Sequence, residues 1–163
     1  MLIVNVKEII KRDNDMLKRI HNRNSPSLIF KGVKQLNSMY DTKPQGLWYG
    51  INKAWIKWCK GEMPHWIYKY NYELKLDLSK MLIITNKEQL INFNNKYRNN
   101  LNILTYIDWW EVAKEYSGIE INPFLHSMRF DIRTNGLWYS LWDCSSGCIW
   151  NKDVIKNIIR MKE

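Results

Sequence analysis

Gly46-Leu47-Trp48-Tyr49-Gly50 returns ninety positions later as Gly136-Leu137-Trp138-Tyr139-Ser140. Each copy is a glycine followed by an apolar-aromatic run. That pattern suits a short strand that begins where the backbone needs freedom and then packs large rings. Two copies so far apart do not make a solenoid, which needs a short period repeated three or more times. The reading is therefore two strands of one sheet, each carrying a Trp-Tyr pair. Trp48, Tyr49 and Trp138 either line a common cleft or fill an ordinary Trp-rich core.

Working outward, Ile67 to Leu76 alternates, with Tyr68, Tyr70, Tyr72, Leu74 and Leu76 on one face and charged or polar residues between them. This predicts a half-buried antiparallel strand. Met81 to Thr85 reads as a short apolar strand, and Asn86 to Tyr97 as a helix capped by Asn86 or Thr85. Ala54 to Lys60 is a short helix with Trp55 and Trp58 on one face. Asp108 caps a helix over Trp109 to Tyr116, stopped by Gly118. Strands are expected at Ser27–Val33, Ile119–Ile121 and Gly147–Trp150, and a last helix, capped by Asn151, over Lys152–Arg160. Residues 5–22 carry apolar positions at helical spacing, which predicts an amphipathic helix. No Pro/Gly/Ser linker divides the chain. The expected fold is α+β: a single domain over 1–163, with an N-terminal helix segment (1–26) and a core (27–163) built on a mixed or antiparallel split sheet flanked by short helices.

The chain has 163 residues, enough for a core without disulfides or metal. Nine Trp, nine Tyr and four Phe exceed what such a core needs, which leaves rings for stacking on a base, nicotinamide or adenine. The net charge of +9 favours an anionic partner: DNA or RNA, a nucleotide, or an acidic protein face. The Asn, Ile and Lys content also matches AT-rich coding, as in some phages, so part of that charge is compositional. Cys59, Cys144 and Cys148 make no even framework, and C-x3-C without a nearby histidine is a weak zinc signal. Reduced thiols, no apolar run near about eighteen residues and no signal-peptide pattern suggest a cytoplasmic protein with no membrane partner.

Among acids, Glu120 stands out. It lies between Ile119 and Ile121, and alternation turns it away from them, toward solvent or a cleft if they face the core. Asp143, in Trp142-Asp143-Cys144-Ser145-Ser146-Gly147, is a second acid or an Asx-turn residue. No phosphate-loop, zinc-protease, nucleophile-elbow or dinucleotide fingerprint is present. His21, His65 and His126 are isolated in sequence. Cys144, Ser145 and Ser146 lack a visible paired base.

The order of these pieces resembles the ADP-ribosyltransferase fold. Leu28-Ile29-Phe30-Lys31-Gly32-Val33 is similar to that fold's early strand with its basic residue. Lys43 to Gly50 and the Trp55/Trp58 helix match the glycine-led aromatic strand and the helix after it. Tyr72-Glu73-Leu74-Lys75-Leu76-Asp77 resembles the Tyr-x-Leu-x-Leu-Asp strand. Gly118-Ile119-Glu120-Ile121 stands where the catalytic glutamate strand falls, and Gly147 to Ile155 resembles the closing segment. The resemblance implies NAD as cofactor, Glu120 and Lys31 as catalytic residues, and Gly32, Gly46, Trp48, Tyr49, Trp55, Trp138 and Asp143 as its binding residues. It implies transfer of ADP-ribose to a nucleic-acid or protein acceptor, with a carboxylate stabilising the positive charge that builds on the ribose. Two other readings remain open beside it: a nucleic-acid-binding protein without chemistry, and a small phage-type inhibitor that binds a host protein.

Overall fold

The computed structural model describes residues 16–36, 42–99, 106–131 and 137–162. Within them, seven strands form one curled sheet: β1 (Arg19–Arg23), β2 (Leu47–Ile51), β3 (Tyr70–Leu76), β4 (Leu82–Ile84), β7 (Gly118–Ile121), β8 (Ser146–Ile149) and β9 (Ile155–Arg160), in the order β4-β7-β8-β2-β1-β3-β9. Only the β4–β7 pair is parallel. A small separate ladder joins β5 (Arg98–Asn99) to β6 (Tyr106–Ile107). The helices are α1 (Ala54–Glu62), α2 (Lys87–Tyr97), α3 (Trp109–Glu115) and the single turn α4 (Leu137–Ser140). The α+β fold with its mixed sheet is the expected one. None of the described helices is long and apolar enough to cross a membrane.

Local chemistry explains the elements that were legible. Asn86 accepts from the Gln89 N–H (2.9 Å), and the Gln89 side chain accepts from the Thr85 N–H (2.7 Å). This reciprocal pair satisfies donors at the start of α2. Leu90, Phe93, Asn94 and Tyr97 then bury one face of α2 at helical spacing. Asp108 caps α3 through the Glu111 N–H (3.1 Å), and Trp109 and Val112 face inward. In β3, Tyr72 and Leu74 are buried while Lys75 is exposed, as the alternation requires.

The sheet has two buried faces. On one, Ile119, Ile121 and Cys148 pack under α2, α3 and α4, with Phe93, Trp109, Trp138 and Trp142 in edge-to-face or tilted contacts. On the other, Leu47, Tyr49, Ile51, Leu74 and Ile149 pack with Leu28, Phe30 and Val154.

Four expectations fail. Residues 1–15 lie outside the described residues, but the end of the expected 5–22 helix is strand β1. It sits between β2 and β3, in the interior of the sheet. Ladder bonds to one or both neighbours outweigh the helical spacing, a tertiary override of local pattern. Residues 19–23 are thus an interior strand of the sheet. Ser27–Val33 is not a strand; its backbone packs on the 150–152 segment instead, with the Val33 N–H donating to the Trp150 carbonyl (2.8 Å). The second Gly-Leu-Trp-Tyr copy is helix α4, its Gly136 lying outside the described residues. Finally, Asn151 caps only a 3-10 turn over Lys152–Val154, after which Ile155–Arg160 runs as β9 beside β3. Ile155 and Ile158 pack with the second apolar cluster, and three isoleucines in six residues favour extended backbone.

Candidate functional site

A cleft opens where β1 and β2 part. Their ladder holds two pairs, Arg19 with Ile51 and Ile20 with Gly50. Beyond them the His21 ring takes over, and its Nδ1 lies 2.6 Å from the Trp48 carbonyl oxygen. A carbonyl only accepts, so Nδ1 carries the proton and Nε2 is left as an acceptor in the neutral ring. Burial holds the His21 pKa below its ordinary value, with the Trp48 carbonyl acting in the opposite sense. The imidazole is therefore neutral at pH 7.

Trp48, Trp55, Trp66, Tyr68 and Trp142 give the cleft aromatic walls around a cavity of about 260 Å³. Trp48 meets Trp142 edge to face at 4.9 Å. On α1, Trp55 stacks on Trp58 (5.1 Å) and on Trp66 (6.2 Å). The loop bearing Trp66 and Tyr68 is tied to β1 by Asn22, whose amide donates to the Tyr68 carbonyl (2.8 Å) and accepts from the Tyr68 N–H (2.7 Å). The indole N–H of Trp142 is buried and has no acceptor among the described residues. At the rim, Asp143 accepts from Arg129 (3.2 Å) and lies 3.9 Å from Lys43 Nζ. Lys43 stands over the Trp48 ring at 5.3 Å. Burial lowers its pKa, and Asp143 partly restores it.

Glu120 is elsewhere. It is 1% exposed, and alternation puts it on the sheet face opposite Trp48. Arg19 donates to it twice, from Nε to Oε2 (2.7 Å) and from Nη2 to Oε1 (3.0 Å), and the Tyr49 hydroxyl donates to Oε2 (2.8 Å). Gly147 makes this possible. It pairs with Tyr49 on one side and Glu120 on the other, and a Cβ there would run into the Tyr49 ring. The ring lies across the bare glycine and reaches the carboxylate one strand beyond. Burial opposes the Arg19 charge, but the Glu120 hydrogen bonds and charge outweigh it and hold the guanidinium pKa above its usual value. Burial and the Glu120 charge keep the Tyr49 hydroxyl protonated.

The expectation that Glu120 faces solvent or a cleft is thus corrected. Ile119 and Ile121 do face the core, but the other face of β7 is buried too.

Of the remaining residues that the resemblance implies, Trp48, Tyr49, Trp55 and Asp143 border the cleft, Tyr49 from a strand whose ring turns to the other face. Lys31 and Gly32 belong to a different groove. Gly46 precedes β2, where a Cβ would strike the Ile149 carbonyl. Trp138 is fully buried, donating to Asn94 Oδ1 (3.0 Å), so it does not share a concave surface with Trp48. Sequence reasoning missed His21, Asn22, Trp66, Tyr68 and Trp142. His21 and Asn22 were hidden by the helical spacing assigned to 5–22. The density of Trp and Tyr between 48 and 68 was the signal for the walls.

The thiols offer no nucleophile: burial pushes Cys144 up to about 12 and Cys148 well above its usual range. No group of His, Cys, Asp and Glu among the described residues is placed to hold a metal. Comparison with known proteins finds no matching family model, no similar curated protein and no matching solved structure.

Proposed function

We propose that the protein is an ADP-ribosyltransferase-like NAD-binding protein that takes the nicotinamide half of NAD into the tryptophan cleft. The observation that carries this reading is the convergence of four indoles and Tyr68 on one cavity with few polar groups. Such a site favours a flat heterocycle, and the positive charge of oxidised nicotinamide adds attraction to ring faces and to Asp143. The volume falls below the ~300 Å³ at the low end of usual ligand pockets. It suits one ring with its ribose and leaves the other nucleotide outside. Neutral His21 supplies an acceptor, and Lys43 a cation for the pyrophosphate.

In this reading Glu120 is a positioning residue that fixes β1, β2 and β7 around the cleft, and Asp143 is the carboxylate nearest the ligand. Transfer to a nucleic-acid or protein acceptor is the corresponding activity. Its support is the resemblance in the order of sequence segments. Titration calorimetry with NAD tests the binding. Saturable binding that Trp55→Ala reduces about tenfold or more supports it. Absence of any heat or thermal shift with NAD overturns it. Labelled NAD incubated with cell extract tests transfer: uptake of label that Asp143→Asn removes supports it, and no uptake leaves a binding protein.

A further inference from the structure

A second groove shares no lining residue with the tryptophan cleft and encloses about 380 Å³. Its walls come from residues 31–35, from α3 and from residues 150–153. Lys31, Lys34, Lys114 and Lys152 line it against one acid, Asp153. Lys114 is engaged with Glu111 (2.5 Å). Lys31, Lys34 and Lys152 are exposed and have no ion-pair partner among the described residues.

The apolar surface between these cations is Trp110, half-buried on α3. Lys34 Nζ stands 5.2 Å and Lys114 Nζ 5.6 Å from its ring centre. The groove is fixed by backbone contact. Gly32 (φ 91°) lets the 31–35 segment lie against the Trp150 carbonyl, which a Cβ would approach to 3.2 Å. Trp150 is itself anchored to the Tyr116 carbonyl by its indole N–H (2.7 Å).

We infer that this groove binds single-stranded nucleic acid, with Lys31, Lys34 and Lys152 on successive phosphates and Trp110 stacked on a base. Three unpaired ammonium groups in one groove repel each other, and a polyanion relieves that repulsion while releasing its counterions. A half-exposed indole among lysines gives a strand something a duplex cannot use, because duplex bases already stack on each other. The net charge of +9 adds attraction at longer range. The inference does not depend on NAD entering the tryptophan cleft, and neither result decides the other.

The test is fluorescence anisotropy with a labelled oligothymidylate, titrated over a series of salt concentrations. Affinity should fall with salt with a logarithmic slope of about −0.7 per phosphate engaged, so about −2 for three lysines. Lys31→Gln, Lys34→Gln and Lys152→Gln should each remove about 0.7 from that slope. Trp110→Ala should weaken binding about tenfold at every salt, and Trp110→Phe should recover most of it. Lys87→Gln, an exposed lysine outside the groove, should change neither. The inference is overturned by no binding at low salt, by equal affinity for a duplex of the same length, or by binding that survives both the lysine changes and Trp110→Ala. The three lysines are exposed, so their replacement should leave the melting temperature near that of the wild type.

Discussion

Leu47-Trp48-Tyr49 and Leu137-Trp138-Tyr139 are the same tripeptide in two conformations. In β2 the period of two sends Trp48 to the cleft side and Tyr49 to the opposite face, where it finds Glu120. In the turn of α4, Trp138 and Tyr139 are both fully buried, and Trp142 follows one turn later in the same cluster. Trp142 joins the copies, with Trp48 on one side and Trp138 and Tyr139 on the other. The difference lies in the neighbours. The first copy lies between β1 and β8, which use its backbone groups in ladders. The second packs its rings against Phe93 and Trp109 of the helices. A tripeptide of large rings accepts either role, and the partners decide which.

The sharpest way to separate the copies is to delete one indole from each. Trp138→Ala should cost about 3–5 kcal/mol, because it opens a core cavity and strands the Asn94 carbonyl. Trp48→Ala, at a half-buried wall, should cost no more than about 2 kcal/mol and act chiefly on ligand affinity. Chemical denaturation of both variants checks this, and equal losses would break the comparison.

Glu120→Gln tests the tyrosine of the first copy. It takes the negative charge out of the buried Arg19 contact, for an expected loss of about 3 kcal/mol. An exposed glutamate would lose almost nothing, so the denaturation midpoint distinguishes the two situations. Gly147→Ala should cost about 1–3 kcal/mol by pushing the Tyr49 ring off its strand. Adding Tyr49→Phe should relieve part of the clash, since the hydroxyl oxygen is the atom nearest the new methyl and the ring carbon that bears it comes next.

The smallest effect is a pH dependence. The folded-state pKa of His21 lies below its ordinary value near 6.5. The unfolded chain therefore binds a proton more readily in that range. The stability that His21 contributes is fully present above about pH 6.5 and is lost as the pH falls from there through the folded-state pKa. Melting temperatures between neutral and mildly acidic pH should fall less in His21→Gln than in the wild type.

The sequence announced elements whose signals are local. Asn86 and Asp108 cap helices with their own side chains, and Tyr72 and Leu74 alternate on a strand that buries one side. It concealed elements that depend on distant neighbours. Arg19 and Ile20 look helical until β2 and β3 flank them, and Ile155–Arg160 looks helical until β3 supplies a ladder. The cleft was half legible. Trp48, Trp55 and Asp143 were named, but their association with His21 needs the parting of β1 and β2, which no residue spacing encodes. Glu120 was singled out for its isolation among isoleucines, yet its partners are 71 and 101 positions away.

That separation bears on the order in which the chain can fold. β1, β2, β3 and α1 emerge first during synthesis and can pair among themselves at short range. The Glu120 carboxylate that Arg19 binds in the folded chain follows 101 positions later. A nascent half-sheet that closed over Arg19 would bury the guanidinium without the two hydrogen bonds that Glu120 accepts, which is disfavoured. The two halves of the sheet are thus locked together by a contact that neither can make alone, and the bidentate grip on Arg19 waits for β7.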